Sequence, residues 1–318
     1  AAWLTCRQWR IYAQTVNHAA ASDEHFWNPN IRDKNKLRAV SSLRIKANYF
    51  AQEEVDEMTA ILGEVTRLTR LECADADAAL FLINSSPELR TLKAQAVSAE
   101  ALFSCPQLEE LTVTGCFKSE DGGGIELLEM ALTQLSRLRS AHVRTTVRGW
   151  NGAYSLDLAR ILSAWSSLTE LSLHGIQQVP QLAQWCPYLR QVVLSPAPNA
   201  VAASFQLGNL AGLLCLTSLD LAGFSDPGAR FEGFDAIVAA SLPSLAEVKV
   251  NARGPWQALG PALVALPALD SLQMMERTAL DDTESMEVLL SVIPRLSRLR
   301  LAVSREHLEQ FFAYARRK

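Results

Sequence analysis

Residues 105–116 read Cys-Pro-Gln-Leu-Glu-Glu-Leu-Thr-Val-Thr-Gly-Cys, and this stretch contains the pattern that decides the fold. Leu108, Leu111 and Val113 form the motif L-x-x-L-x-L, whose second and third apolar residues are two positions apart. Residues two apart in a strand face the same side, so Leu111 and Val113 are predicted to face a core while Glu110 and Thr112 face solvent. The stretch therefore predicts a short strand with one buried face.

The same motif occurs eleven times in the 318 residues. Its copies are Val40-Leu43-Ile45, Leu68-Leu71-Cys73, Leu89-Leu92-Ala94, Leu108-Leu111-Val113, Leu138-Ala141-Val143, Leu168-Leu171-Leu173, Leu189-Val192-Leu194, Leu216-Leu219-Leu221, Leu245-Val248-Val250, Leu269-Leu272-Met274 and Leu296-Leu299-Leu301. The third apolar position advances 256 residues over ten intervals, a mean of 25.6 residues per repeat. Individual steps range from 19 to 30 residues, and a repeat of this mean length indicates a leucine-rich type of repeat architecture.

Helices are predicted between the strands. Apolar residues take helical spacing in 125–132, in 156–162 and in 286–293. Six prolines stand two residues before the first leucine of a strand, and proline pushes its preceding residue out of helical geometry. These prolines are Pro87, Pro106, Pro187, Pro243, Pro267 and Pro294. A single strand-helix unit cannot bury its own apolar face, so the units are predicted to stack into a solenoid with a concave parallel sheet and convex helices.

Residues 105–116, and the second repeat start Cys186-Pro187-Tyr188-Leu189, resemble the cysteine-containing class of leucine-rich repeats. The resemblance implies an α/β leucine-rich repeat solenoid, or horseshoe, of about eleven strand-helix repeats over residues 37–303. Residues 304–318 are predicted to be a C-terminal capping helix followed by the basic tail Arg316-Arg317-Lys318.

The N-terminal segment 1–36 is predicted to be a helical cap. Trp3, Cys6, Trp9, Ala13 and Val16 recur at three- and four-residue spacing, which predicts one apolar stripe on a helix. The run Cys6-Arg7-Gln8-Trp9-Arg10 resembles the end of an F-box, a family often followed by this class of repeat. The resemblance implies docking on the adaptor of a cullin-RING ubiquitin ligase. The alternative is a capping helix without an adaptor function.

The composition indicates which classes of partner and which cellular compartments are expected. The chain has 34 acidic and 30 basic residues, and its net charge of -4 gives no overall reason to bind nucleic acid. No apolar run is long enough for a membrane span. Six cysteines without a C-x-x-C pair are expected to be reduced, which favours an intracellular compartment, cytoplasmic or nuclear, with organellar or ciliary locations as alternatives. The chain starts with neither an initiator Met nor a signal-peptide pattern, so we expect it to begin inside a longer protein.

The sequence predicts no catalytic residues, no metal site and no cofactor. It contains no phosphate-binding loop, no H-E-x-x-H and no G-x-S-x-G, and its five histidines lack metal-ligand spacing. A cysteine-histidine pair assembled in space stays open, although Cys105, Cys116 and Cys186 each fit a structural role as small buried residues. We therefore expect a binding protein and not an enzyme.

Two surfaces are predicted to bind protein. On the concave face the candidates are Arg44, Arg70, Glu72, Lys93, Glu110, His142, Arg144, Glu170, Asp220, Lys249, Arg298 and Arg300. Four repeats are lengthened after the strand, and the rim loops formed there are predicted to add aromatic contacts. These candidates are Trp150, Tyr154, Phe224 and Phe231, for each of which the alternative is an aromatic that plugs its own loop.

A solenoid of this kind is expected to act by protein-protein interaction. The F-box resemblance implies a substrate receptor that captures a protein for ubiquitin transfer. The alternative is a constitutive scaffold subunit that contacts neighbouring subunits of a large assembly, axonemal, organellar ribosomal or other, without a ligase role.

Overall fold

The structure is a computed structural model of the chain. It describes residues 10–15, 25–26, 40–46, 65–77, 79–118, 124–144, 146–149, 152–197, 204–224, 230–232, 239, 241–250, 256–274, 283–301, 309, 312–313 and 316. The chain divides into two compact units, Ala1–Trp165 and Ser166–Lys318. Each unit is described by itself.

The first unit contains a sheet whose central strands are parallel. Its strands are β1 (Arg10–Thr15), β2 (His25–Phe26), β3 (Val40–Lys46), β4 (Arg70–Asp75), β5 (Thr91–Val97), β6 (Glu110–Lys118), β7 (Ser140–Arg144), β8 (Thr146–Gly149) and β9 (Gly152–Ser155). Strands β3 to β7 pair in chain order. Leu43, Leu71, Leu92, Leu111 and Ala141 are aligned in register across them. The second apolar position of each predicted motif thus forms one continuous row.

The second unit repeats this arrangement. Its strands are β10 (Glu170–Ile176), β11 (Gln191–Pro196), β12 (Ser204–Gln206), β13 (Ser218–Leu221), β14 (Arg230–Glu232), β15 (Glu247–Val250), β16 (Ser271–Met274) and β17 (Arg298–Leu301). Six of them pair in parallel in the order β10-β11-β13-β15-β16-β17, and β12 pairs separately with β14. All eleven predicted strands are therefore strands in the structure, which confirms the α/β repeat solenoid.

Helices connect the strands, as predicted. They are α1 (Leu80–Asn84), α2 (Ala99–Phe103), α3 (Gly124–Thr133), α4 (Leu158–Ala164), α5 (Leu182–Trp185), α6 (Trp256–Ala265) and α7 (Thr283–Val292), with 3₁₀ turns at Leu207–Leu210 and Ile293–Arg295. The short ones still bury apolar residues, for example Leu82 and Ile83 in α1. A helix this short is not stable in isolation, so packing against the sheet stabilises it.

A tight turn precedes most strands and explains the prolines. The amide of Leu108 donates to the carbonyl oxygen of Cys105 at 3.2 Å, and that of Leu89 donates to Ser86 at 3.0 Å. These are i to i+3 turns in which Pro106 and Pro87 occupy the i+1 position, where the fixed φ of proline is favourable. The proline signal therefore marks a turn as well as the end of a helix.

The predicted helix at the N-terminus is wrong for residues 10–15. They form β1, which runs antiparallel to β3 and aligns Ala13 with Leu43. Without β1, the edge of β3 would present unpaired backbone N–H and C=O groups, and β1 pairs with them. Ile11, Tyr12 and Thr15 also belong to residue types that favour strands. Strand pairing here overrides the apolar stripe, so the predicted helical cap is corrected at residues 10–15 and 25–26, while the rest of the segment 1–36 lies outside the described residues.

Candidate functional site

The strand residues between the buried apolar positions form a surface that we call the open strand face. Leu71 and Cys73 are buried, for instance, while Glu72 between them is partly exposed. The twelve predicted binding residues all lie at such outward positions and are exposed or half-exposed: Arg44, Arg70, Glu72, Lys93, Glu110, His142 and Arg144 in the first unit, and Glu170, Asp220, Lys249, Arg298 and Arg300 in the second. The structure bears out their exposure, and their role in binding stays a prediction.

In the first unit, three neighbouring outward residues alternate in charge. Arg44, Glu72 and Lys93 are aligned in register on β3, β4 and β5. The Nε atom of Arg44 lies 2.8 Å from Oε1 of Glu72. That Nε atom is shielded from solvent, and its N–H is not aligned for a hydrogen bond to the carboxylate. The carboxylate of Glu72 is therefore paired electrostatically with the guanidinium of Arg44.

A pocket of about 390 Å³ opens on this part of the open strand face. It spans β3 to β6, and Arg44, Glu72, Lys93 and Thr112 line it along one row. Ala74, Gln95 and Thr114 line it along the next outward row. Because Ala74 is the smallest of these outward residues, it leaves room beside the longer side chains.

Four of the lining side chains carry unused hydrogen-bond donors. Lys93, Gln95, Thr112 and Thr114 make no side-chain hydrogen bond or ion pair with any residue that the structure describes. An ammonium group, an amide and two hydroxyls therefore converge on the pocket. Such a group of donors fits an acceptor such as a carboxylate.

Beyond the pocket, Lys118 joins two carboxylates where β6 ends. Its Nζ atom lies 2.5 Å from Oδ2 of Asp75 and 3.1 Å from Oδ2 of Asp77. Burial alone would lower the pKa of Lys118, but hydrogen bonds to the two carboxylates and their negative charge raise it above its ordinary value. Ser98 donates to Asp77 at 2.5 Å and caps α2 by accepting from the amide of Ala101. The cluster pairs one ammonium group with two carboxylates, and these contacts hold the strand ends together.

The matching lysine of the second unit is paired. Lys249, at the same position between two buried apolar residues, lies 3.6 Å from Asp220 and 3.9 Å from Glu247. Glu247 also accepts a hydrogen bond from Gln273 at 3.0 Å. Side chains of the open strand face thus satisfy one another here, in contrast to the pocket around Lys93.

Of the four aromatic residues predicted to form rim-loop contacts, three lie in the described part of the chain. Trp150 lies outside the described residues, while Tyr154 belongs to β9, which forms a hairpin with β8 and aligns Tyr154 with Val147. Phe231 belongs to β14, where it is aligned with Phe205. The β8-β9 hairpin was not predicted from the sequence, where Thr146-Val147 and the glycines Gly149 and Gly152 are its signals.

Phe224 is a core residue, and its prediction as an exposed contact is wrong. It is 1% exposed and packs edge-on against Phe205, with ring centroids 4.7 Å apart. Edge-to-face packing of two buried rings is favourable, so the aromatic fills its own loop. This is the alternative that the sequence analysis left open for it.

The buried cysteines have a structural role. Burial raises the pKa of Cys105 and of Cys186 to about 12. Burial, reinforced by the negative charges of Asp75 and Asp77, raises the pKa of Cys73 to about 12 as well. The thiolate is the nucleophilic form of cysteine, so these three thiols are held in their unreactive state.

The described part of the chain contains neither a membrane-spanning helix nor a cluster of metal ligands. None of its helices combines the length and the apolar character that crossing a membrane requires. Among the same residues, no group of three or more His, Cys, Asp or Glu side chains is placed to hold a metal ion.

Comparison with known proteins finds similar solved structures only. No family model and no curated protein matches this chain in sequence. One similar solved structure is the leucine-rich repeat-containing protein LegL7 from Legionella pneumophila, at 13% identity and a TM-score of 0.37, covering 92% of this chain and 95% of that one. The chain itself has the leucine-rich repeat fold, with its parallel strands in the predicted register.

Two further solved structures are similar to this chain. The TLR13–ssRNA13 complex matches at 13% identity with a TM-score of 0.46, over 83% of this chain and 36% of that chain. The LRR ectodomain of the plant membrane receptor kinase GASSHO1/SCHENGEN3 from Arabidopsis thaliana, in complex with CASPARIAN STRIP INTEGRITY FACTOR 2, matches at 13% identity with a TM-score of 0.28, over 77% and 39% of the respective chains. This chain thus spans less than half the length of these two proteins.

Proposed function

We propose that this leucine-rich repeat protein binds a protein partner through the open strand face of its first unit, across β3 to β6. The observation that carries the proposal is the pocket around Lys93, where four side chains have donors that no described residue uses. Buried polar groups are normally hydrogen-bonded. A partner that covers this face would therefore have to supply the acceptors.

The charges of the surface favour a protein over a polyanion. Arg70 lies 3.9 Å from Glu110 on the same face, and Arg44 is paired with Glu72. A row of alternating charges matches a mixed protein surface, whereas a phosphate backbone requires clustered positive charge.

The narrower proposal is that the protein is an F-box-type substrate receptor of a cullin-RING ubiquitin ligase. The run Cys6-Arg7-Gln8-Trp9-Arg10 supports it by resemblance. The strand β1 argues against it, because residues 10–15 pair with β3 where the resemblance implies a helix.

The second proposal is a scaffold subunit of a large assembly. It is favoured by the same strand, since a segment that completes the sheet has a structural role and needs no adaptor. In that case the open strand face would contact a neighbouring subunit permanently.

Site-specific photo-cross-linking of the full-length protein in its own cells tests the proposed function. A photoreactive residue in place of Thr112 on the open strand face is expected to cross-link a defined protein. The matched control replaces Glu126, which is exposed on α3. Equal cross-linking at both positions, or none at residue 112, would contradict binding through this face.

The same experiment separates the two narrower proposals. Co-purification of a cullin and its adaptor with the cross-linked partner would support the receptor. Recovery of one assembly in fixed stoichiometry, without a cullin, would support the scaffold subunit.

A further inference from the structure

We infer that the partner inserts an acidic side chain, Asp or Glu, into the pocket beside Lys93. This inference rests on the proposed function and specifies the chemistry of the residue that the pocket takes.

The charge of the pocket is incompletely balanced. Two cations, Arg44 and Lys93, line it together with one carboxylate, Glu72. Glu72 is 2.8 Å from Arg44, so the positive charge of Lys93 is left over. A partner that covers a charged group without pairing it incurs the cost of removing that charge from water. Only an anionic group of the partner offsets that cost at this position.

The remaining donors select a carboxylate as the anionic group. Gln95 offers an amide N–H₂, and Thr112 and Thr114 offer hydroxyls on the same pocket wall. A carboxylate accepts hydrogen bonds at both oxygens, so it satisfies Lys93 and at least one of these neighbours together. The space over Ala74 gives the side chain access to them.

Lys249 provides the internal contrast. It occupies the equivalent outward position on β15, but Asp220 and Glu247 lie 3.6 and 3.9 Å from its Nζ atom. A lysine at this outward position can therefore be neutralised by carboxylates of the chain itself. At Lys93 no described carboxylate does so, which leaves that position for a carboxylate of the partner.

Peptide selection on the intact chain tests the inference. A phage-displayed library of random 12-residue peptides is panned against the wild-type protein and counter-selected against Lys93→Glu. The enriched peptides are expected to share an Asp or Glu. In a synthetic peptide, replacing that residue by its amide should weaken binding about tenfold or more, the effect of one charge-assisted hydrogen bond.

Three protein variants define the site. Lys93→Glu should weaken the peptide by a similar factor and should bind a peptide whose acidic residue is changed to Lys. Ala74→Leu, which fills the pocket without changing charge, should also weaken binding. Lys249→Glu is the matched control and should leave the affinity within about twofold. Circular dichroism and the melting temperature confirm that each variant is folded.

Several results would overturn the inference. Enriched peptides without a common acidic residue, no enrichment over the counter-selection, or equal affinity of the wild type and Lys93→Glu would each do so. Binding of a single-stranded RNA of 15 nucleotides that depends on Lys93, without binding of acidic peptides, would also overturn it. Cross-linking at residue 112 would still stand in these cases, so failure of this inference is distinguishable from failure of the proposed function.

Discussion

Gly115 lies where β6 passes close to its neighbour β5. A Cβ atom at this position would be 2.3 Å from the backbone carbonyl oxygen of Gln95. Backbone cannot move aside as a flexible side chain can, so Gly115→Ala is expected to destabilise the protein by about 1–3 kcal/mol through overpacking. Urea unfolding measures the change. The control Thr114→Ala, at an exposed neighbouring position, should shift the free energy of unfolding by less than about 0.5 kcal/mol.

The cysteines differ in reactivity because they differ in burial. Cys215 is exposed, while Cys73, Cys105 and Cys186 are buried with their pKa raised to about 12. Iodoacetamide at pH 8 should therefore alkylate Cys215 more than about tenfold faster than the buried three, as read by peptide mass spectrometry. Comparable rates for Cys215 and Cys186 would contradict the burial of Cys186.

The raised pKa values of the three buried thiols predict that the folded state loses stability at alkaline pH. The folded state holds the thiol protons of Cys73, Cys105 and Cys186 more tightly than the unfolded state, whose pKa is near 9.0. The contribution of these protonated thiols to the free energy of unfolding is therefore fully present below pH 9 and is lost as the pH rises toward 12. A triple Ser variant lacks these thiols and should show a smaller decrease in urea midpoint between pH 8.5 and 10.5. An equal decrease in both proteins would contradict the prediction.

At the scale of the element, Glu129 links two consecutive helices. It lies on α3 at 8% exposure and accepts a hydrogen bond at 2.8 Å from the amide of Asp157, the N-cap of α4. Its second oxygen is 3.5 Å from the guanidinium of Arg160. The side chain thus satisfies a backbone donor beside the N-terminus of the next helix, where a negative charge is favourable.

Two substitutions of Glu129 should show separately how much its hydrogen bond to the amide of Asp157 and its negative charge contribute to stability. Glu129→Leu leaves the amide of Asp157 without its acceptor and should cost about 1–3 kcal/mol of unfolding free energy. Glu129→Gln keeps an acceptor oxygen and loses only the attraction to the half-exposed Arg160, so its cost should be under about 1 kcal/mol. Thermal unfolding of both variants measures this order. The reverse order, with Gln more harmful than Leu, would contradict the role of the hydrogen bond.

The elements that were predicted correctly share a local and repeated signal. Each strand of the motif has two apolar residues at a spacing of two and a turn before it, so β6 could be predicted from residues 105–113 alone. The N-terminal strand β1 carries no such repeat, and its conformation depends on the edge of β3, which is remote in sequence. The chemistry of the pocket beside Lys93 also depends on strand neighbours that are remote in sequence. The register predicted that Lys93 faces outward, but its lack of an ion pair depends on its neighbours: Glu72 on β4 lies beside Arg44, and Thr112 lies opposite Lys93 on β6.

At the scale of the whole molecule, the chain consists of repeats that pair with their neighbours in sequence within each unit. In such an architecture, stability is approximately a sum of repeat terms and nearest-neighbour terms. The glycines provide a matched pair for testing this property. Gly115 contacts the backbone of Gln95 in the first unit, and a Cβ atom on Gly223 in the second would be 2.5 Å from Oγ of Ser195.

Hydrogen exchange of the two glycine variants should therefore respond locally. Gly115→Ala is expected to lower amide protection mainly in β5 and β6 and in the strands beside them, because stability lost at one repeat interface is shared only with adjacent repeats. Gly223→Ala should lower it mainly in β11 and β13, because the new Cβ atom would also be 2.7 Å from Cβ of Ser195, which rotation of the Ser195 side chain does not move. Mass spectrometry of peptides from β4–β6, β11–β13 and β15–β17 measures both patterns. Uniform loss of protection across both units in either variant would show instead that the chain unfolds as one cooperative body.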